Sequence, residues 1–423
     1  MSRRLIALLL VSFATLTACG RVSATHPAVG GYRLFLEEGF NGGSERITVR
    51  DSASGTLERE LPLGTPAPDW SRYYTVSSLA GSGRLTALDP ASGRTITQIA
   101  IPTGFALPSL GYQGPTAGLS PNGRWLALTD NGRATSGKLI TSFLVGASSL
   151  TGSFKTVRVD GDFAFDALSD TGQSLYLIQR MGDPNHYQVR LLDVSSGTLV
   201  EHPVADKREA GEPMNGIRGD SVADAQGAFV FTVYAREAGP FIHALPLDQP
   251  YAWCIDLPAK SASDMEEQFH WSLAFNHQRS ILYAINGSSG RIAEIAPSSL
   301  PKVERVGQVA LNPSRSLPAG FVTDADAKGA KIGGAAISAD GRTLFALGNT
   351  GIVAIDTATL KIRSRILEGE SVDSLRLSTD GQWLYAAGAS TSKVWQINPS
   401  TGAVSGQVAG TTNPWALLWA APK

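Results

Sequence analysis

Ile337-Ser338-Ala339-Asp340-Gly341-Arg342-Thr343-Leu344-Phe345-Ala346-Leu347 decides the reading of this chain, because its pattern returns along most of the sequence. An apolar strand end, a tight turn carrying Asp-Gly or its equivalent, and a second apolar strand recur. Three close copies are Leu119-Ser120-Pro121-Asn122-Gly123-Arg124-Trp125-Leu126, Leu168-Ser169-Asp170-Thr171-Gly172-Gln173-Ser174-Leu175 and Leu377-Ser378-Thr379-Asp380-Gly381-Gln382-Trp383-Leu384. Weaker copies lie at Ala223 to Phe231 and Phe275 to Tyr283. The turn glycines Gly123, Gly172, Gly227, Gly341 and Gly381 are 49, 55, 114 and 40 residues apart, and the longest gap holds the glycine-less copy at Phe275. The period is thus about 40 to 57 residues, the range of propellers, solenoids and arrays.

A second hairpin follows within each unit. It reads Ala87-Leu88-Asp89-Pro90-Ala91-Ser92-Gly93, Leu192-Asp193-Val194-Ser195-Ser196-Gly197, Ile355-Asp356-Thr357-Ala358-Thr359 and Ile397-Asn398-Pro399-Ser400-Thr401-Gly402. Asp or Asn at the turn entry bonds its own backbone and Gly supplies a positive φ, so these are hairpin turns with a mechanism. Period-2 alternation follows, as in Thr95-Ile96-Thr97-Gln98-Ile99-Ala100-Ile101. Each unit parses into four short strands, the composition of a propeller blade, which needs its neighbours to bury both faces.

These two hairpins resemble the repeat of the YVTN-type β-propeller proteins, a Ser-Pro-Asp-Gly turn, an apolar strand and an Ile-Asp-x-x-Thr-Gly hairpin, over roughly residues 33 to 419. The resemblance implies an all-β propeller and little about function, since unrelated binding proteins and some enzymes share that fold. The Gly-His and Trp-Asp signature of WD repeats is missing, and His277-Gln278-Arg279 stands where unit six should carry its turn glycine. Second strands starting near Arg33, Arg72, Arg124, Ser174, Ala228, Ile281, Thr343 and Gln382 give eight blades, or seven if unit one or two is degenerate. Unit one lacks an inner strand, and Pro414-Trp415-Ala416-Leu417-Leu418-Trp419 is an apolar strand without a unit. The expectation is a ring closed by the C-terminal strand completing the N-terminal blade, which removes the open edge.

The chain start has its own logic. Arg3-Arg4, an apolar run from Leu5 to Ala14, and Leu16-Thr17-Ala18-Cys19 read as a secretory signal too short to span a bilayer. The Leu-Thr-Ala-Cys end resembles a bacterial lipobox, which implies cleavage before Cys19, its lipidation, and stable anchoring through several acyl chains; an ordinary signal cleaved nearby is the alternative. The expected organisation is a signal peptide over 1–18, a flexible tether over 19–31 and a single propeller domain over 32–423, located in the bacterial cell envelope on the outer face of the cytoplasmic membrane or in the outer membrane. Gly20, where an inner-membrane retention signal would place Asp, leans towards the latter. Cys254 is the only other cysteine and, flanked by Trp253 and Ile255, reads as a buried inert thiol. With 36 basic and 37 acidic side chains the net charge is −1, so nucleic acid is an unfavourable partner on electrostatic grounds.

No nucleophile elbow, paired-cysteine metal spacing or phosphate-cradling loop occurs. The sialidase Asp-box does not fit the repeat, because Asp and Gly are adjacent in the Asp340-Gly341 and Asp380-Gly381 turns. There is no cofactor motif either: Cys-x-x-Cys-His and a docking-type tryptophan repeat are both missing, so no cofactor and no metal are expected. Ligand sites on propellers gather on the face where inner strands begin, which here collects Asp162, Arg218, Asp220, His270, Trp271, Lys331, Asp373 and Asn413. Mixed charge near an axis holds a polar ligand or forms a self-satisfied ion-pair cluster. Three long junctions, Asp206 to Asn215, Ala259 to Gln268 and Asn312 to Lys331, would cover one sector of that face. Two functions fit: a lipid-anchored, monomeric binding or scaffolding protein for a protein, peptide or glycan, and a propeller hydrolase or lactonase drawing on His270, Asp166, Asp220 and Asp373. The first is the expectation.

Overall fold

The computed structural model describes residues 31–39, 45–79, 81–110, 116–135, 138–182, 186–205, 214–224, 226–247, 249–259, 264–298, 300–311 and 334–423. The signal, the tether, Cys19, Lys331 and most of the three long junctions lie outside them. Among the described residues the only helix is the short Met265–Gln268, and no helix is long and apolar enough to cross a membrane.

The strands assemble into eight antiparallel sheets arranged as the blades of a propeller, seven of four strands and blade 4 with an added short strand. The second strands begin at Tyr32, Tyr73, Trp125, Ser174, Phe229, Ile281, Thr343 and Leu384, within two residues of the starts read from the repeat. The ring closes as the apolar tail requires. The strand Pro414–Pro422 is the inner strand of blade 1 and pairs antiparallel with Tyr32–Glu38, with Phe35 opposite Trp419 and Leu36 opposite Leu417.

Two inner strands are vestigial: Thr65–Pro66 in blade 2, and Phe105–Ala106 in blade 3, supplemented there by a single bridge between Leu119 and Leu126. Eight buried apolar clusters hold the ring, one at each junction between neighbouring blades. At the junction of blades 8 and 1, for example, Trp383, Tyr385 and Val394 pack on Tyr32, Leu34 and Leu417. This is the arrangement forced on blades that present an apolar face on both sides.

The hairpin chemistry is visible atom by atom. Asp89, Asp193, Asp356 and Asn398 each accept, through Oδ1, backbone N–H bonds from the second and third residues that follow. In the other hairpin Ser169-Asp170-Thr171-Gly172, Gly172 has φ +69°, and a Cβ there would lie 2.2 Å from Cδ2 of Trp125 on the previous blade. Only glycine fits. Blade 6 manages without one: Asn276 caps the turn by accepting the N–H of Arg279, Ser280 takes φ 50°, and the Asn276 amide donates to the Gly341 carbonyl of blade 7. Asp170 likewise accepts the Asn122 N–H at 2.8 Å, so these turns tie blades together on the face opposite the inner-strand starts.

One local expectation changes. Cys254, on the outer strand Trp253–Asp256 of blade 5, is half-buried rather than buried, because that strand carries one flank towards solvent.

A candidate binding site in the central channel

Inner strands line the bore of the ring, and their side chains define what can enter it. Asp162 opens the inner strand of blade 4 and forms an ion pair with Arg180 at 2.8 Å, both side chains exposed at the rim. The pair borders a cavity of about 380 Å³ between blades 3 and 4, floored by Phe163 and Phe165 and walled by Pro108 and Thr129. The Thr129 hydroxyl is buried and has no hydrogen-bond partner among the described residues. An unsatisfied buried hydroxyl costs roughly 1–3 kcal/mol.

Deeper in the bore stand four charges. Arg218, on the blade 5 inner strand Ile217–Ala223, forms an ion pair with Asp166 of the blade 4 inner strand Phe163–Leu168. Both side chains are largely buried, and the Arg218 Nη2 lies 3.5 Å from the Ser221 hydroxyl. Tyr187 and Tyr234 back this pair, their rings 5.9 Å apart, and burial holds both phenols well above their ordinary range.

Asp220 and Arg376 are placed differently. Asp220 Oδ1 accepts the Ser221 N–H and Oδ2 accepts the Leu273 N–H of blade 6, each at 2.8 Å. Burial pushes its carboxyl up to about 6, against the pull of those two amides and of Arg376. Arg376, on the blade 8 inner strand Ser374–Leu377, donates from Nε to the Leu417 carbonyl of blade 1 at 3.0 Å. Burial lowers its pKa, and the Asp220 charge opposes that shift. Both side chains keep partial exposure to the bore.

The remaining candidates scatter. His270 sits half-buried at the entry of the blade 6 inner strand, its backbone held by Glu267 and Gly287. Trp271 is 3% exposed and packs in the apolar cluster between blades 5 and 6, where it meets core residues rather than the bore. Asp373 accepts the Ala389 N–H at 2.7 Å at the start of blade 8's inner strand. Asn413 takes φ 46° just before the closing strand, its N–H donating to Ser392 Oγ. Lys331 lies outside the described residues. Among the described residues, no group of three or more His, Cys, Asp or Glu side chains converges in a way that could hold a metal ion.

The structure therefore brings Asp166, Arg218, Asp220 and Arg376 into one bore, with Asp162 and Arg180 at its rim. Sequence reading did not single out Arg376 as a site residue. Its signal was present: an arginine between Leu375 and Leu377 in an inner strand that has no solvent face apart from the channel.

No protein-family model and no curated protein matches this sequence. Solved structures do resemble the fold. Apo AztD from Citrobacter koseri superposes with a TM-score of 0.53 at 12% identity, over 93% of this chain and 98% of that one. The dihydro-heme d1 dehydrogenase NirN, solved in complex with DHE, gives 0.52 at 15% identity, over 92% of this chain and 74% of that one. At such identities the likeness extends to the fold alone.

Proposed function

We propose that the chain is a lipid-anchored, extracytoplasmic propeller that binds a protein, peptide or glycan through the face where its inner strands begin. The observation that carries this reading is the rim cavity between blades 3 and 4, a concave polar site bordered by the exposed Asp162–Arg180 pair. A few convergent polar groups in a preformed cavity are what a recognition site needs. Thr129, Phe163, Ala164, Phe165 and Arg180 of the cavity's lining stand on strands of the two blades, which favours binding without reorganisation.

The bore charges support the same reading. Asp166 is committed to Arg218 and Asp220 to two backbone amides, so neither stands free beside a bond to be cleaved. One observation favours a hydrolase or lactonase instead: the Asp220 carboxyl, pushed up to about 6, lies near the range of a general base at neutral pH.

Photo-crosslinking from intact envelopes separates the two. A photoreactive residue at Ser109, on the cavity wall, should give a discrete crosslinked product, whereas one at Asp340, on the opposite face, should not. Product from Asp340 alone would overturn the binding face. Lactone hydrolysis by the wild-type protein that disappears in Asp220→Asn would transfer the function to the second reading. Cys19→Ser should release the protein from the membrane fraction; anchoring and cleavage unchanged in that variant would remove the lipid anchor from the proposal.

A further inference from the structure

The turns that join first strands to second strands lie on the face opposite the inner-strand starts, and between two of them the ring has a second cavity. It measures about 310 Å³ and is lined by Asp69, Arg72 and Tyr74 of blade 2 and by Asn122, Arg124 and Ser148 of blade 3. The repeat itself places the two arginines there. Arg72 immediately precedes the second strand Tyr73–Leu79, and Arg124 immediately precedes its counterpart Trp125–Thr135, so they hold equivalent positions on adjacent blades. The walls approach closely because Gly123 takes φ +69°, and a Cβ there would lie 2.8 Å from Cδ of Pro68 on blade 2.

The neutral donors of the lining are engaged with the protein. Ser148 Oγ donates to the Gly123 carbonyl, Asn122 Nδ2 to the Asp170 carbonyl and Ser71 Oγ to Asp69 Oδ1. The arginines are not. Arg72 is half-buried and Arg124 exposed, and among the described residues neither guanidinium forms an ion pair or a hydrogen bond. The carboxylates that act on them do so without contact, Asp69 on Arg72 and Asp170 on Arg124. Asp69 Oδ1 accepts both the N–H and the hydroxyl of Ser71, at 3.0 and 2.7 Å, and these bonds hold its carboxyl below the ordinary range. Its Oδ2 keeps acceptor capacity.

Two unpaired guanidiniums and one ionised carboxylate on a single cavity describe a ligand with two negative charges and one proton to donate. A carboxylate would satisfy one guanidinium only. Sulfate would satisfy both but has no proton for Asp69 and would be repelled by it. We propose that the cavity between blades 2 and 3 is a binding site for inorganic hydrogen phosphate, its oxygens on Arg72 and Arg124 and its hydroxyl donating to Asp69. Arginine forks suit phosphate oxygens, and a cavity of this volume is at the lower end of the range for small ligands. A doubly ionised phosphate monoester offers the same oxygens without the proton, so the free ion is the favoured occupant. The site lies on the opposite face from the rim cavity of blades 3 and 4, and either can stand without the other.

The test is calorimetric titration of the full-length protein, in mild detergent and a low-salt, slightly alkaline buffer, with inorganic phosphate, sulfate and methyl phosphate. Phosphate should bind saturably, with sulfate and methyl phosphate about tenfold or more weaker, the cost of losing one charge-assisted hydrogen bond and keeping the Asp69 repulsion. Arg72→Gln and Arg124→Gln should each weaken phosphate about tenfold or more, and the double variant should abolish binding. Asp69→Asn keeps the Oδ1 that caps the turn and removes the charge, so it should bring sulfate level with phosphate. Because the comparison of phosphate with sulfate uses the wild-type protein, it stands even if a variant fails to fold. No saturable binding of phosphate, equal affinity for phosphate and sulfate in the wild type, or undiminished binding in a folded double-arginine variant overturns the proposal. Methyl phosphate binding as tightly as phosphate would overturn it too, since the ion's proton would then have no role.

Discussion

Replacing Leu417 by alanine tests whether the last strand closes the ring or merely decorates it. Leu417 is fully buried among Tyr32, Leu34, Leu36, Trp383, Tyr385 and Val394, at the one junction where the two ends of the chain meet. Its backbone N–H donates to Ser374 Oγ at 3.0 Å and its carbonyl accepts from Arg376, and neither bond involves the side chain that the mutation removes. The loss therefore reports packing. Truncation of a fully buried leucine costs about 2–5 kcal/mol, from lost transfer energy plus the cavity left behind. The control is Val404→Ala, on the outermost strand of blade 8, where the side chain is 46% exposed and the loss should stay within about 0.5 kcal/mol. Urea unfolding followed by tryptophan fluorescence reads both, and if refolding is incomplete the unfolding rate serves instead. Removing the strand altogether, residues 414–423, also uncovers the edge of Tyr32–Glu38 and unstacks Trp419 from Trp70, so aggregation is expected. A Leu417→Ala protein that unfolds with the Val404→Ala control would refute the closure argument.

Gly172→Ala combines a positive φ with a Cβ 2.2 Å from Trp125, so it should cost more than about 2 kcal/mol, whereas Gly152→Ala, at φ +92° with nothing within 4 Å, should lose only the backbone term of about 1 kcal/mol; equal losses in melting experiments would dismiss the steric part. Arg218→Gln leaves Asp166 buried without its charge partner and should destabilise by roughly 3–5 kcal/mol, with part of the loss recovered by adding Asp166→Asn; additive losses in the double variant would show that the pair is not coupled. Asp220 has a carboxyl pKa raised from the ordinary 3.8 to about 6, so its stabilising contribution is fully present below pH ~4 and is lost as pH rises through 6. Discounted for water in the bore, that loss is on the order of 2 kcal/mol, and the stability of wild type minus Asp220→Asn should fall by about that much between pH 4 and pH 7; a flat difference would mean that the carboxyl is not desolvated.

The repeat was legible because it is local. Each Ser-x-Asp-Gly turn and each Asp-x-x-x-Gly hairpin carries its own geometry within a few residues, so the second strands could be counted from sequence to within two positions of where they begin. Blade 6 was harder, since Asn276 and Ser280 reproduce the turn without its glycine, and the apolar strands on either side had to carry the recognition. Closure was legible for a different reason: an apolar strand without a unit at one end and a unit without an inner strand at the other have only each other to pair with. The bore was not legible to the same degree. In an inner strand, alternate residues face a neighbouring blade or the channel, and a sequence pattern that separates Leu375 and Leu377 from Arg376 does not say that the arginine and Asp220, from blades three positions apart round the ring, belong to the same bore. Trp271 shows the same limit from the other side: beginning an inner strand beside His270, it was placed at the mouth, yet its indole turns into the apolar junction of blades 5 and 6. Whether a side chain at an inner-strand position packs or lines the channel is set by the rotation of the blade about its own axis, and that rotation is fixed by all eight junctions together. A closed ring thus makes its blades readable one at a time and its central site readable only when the last strand is in place.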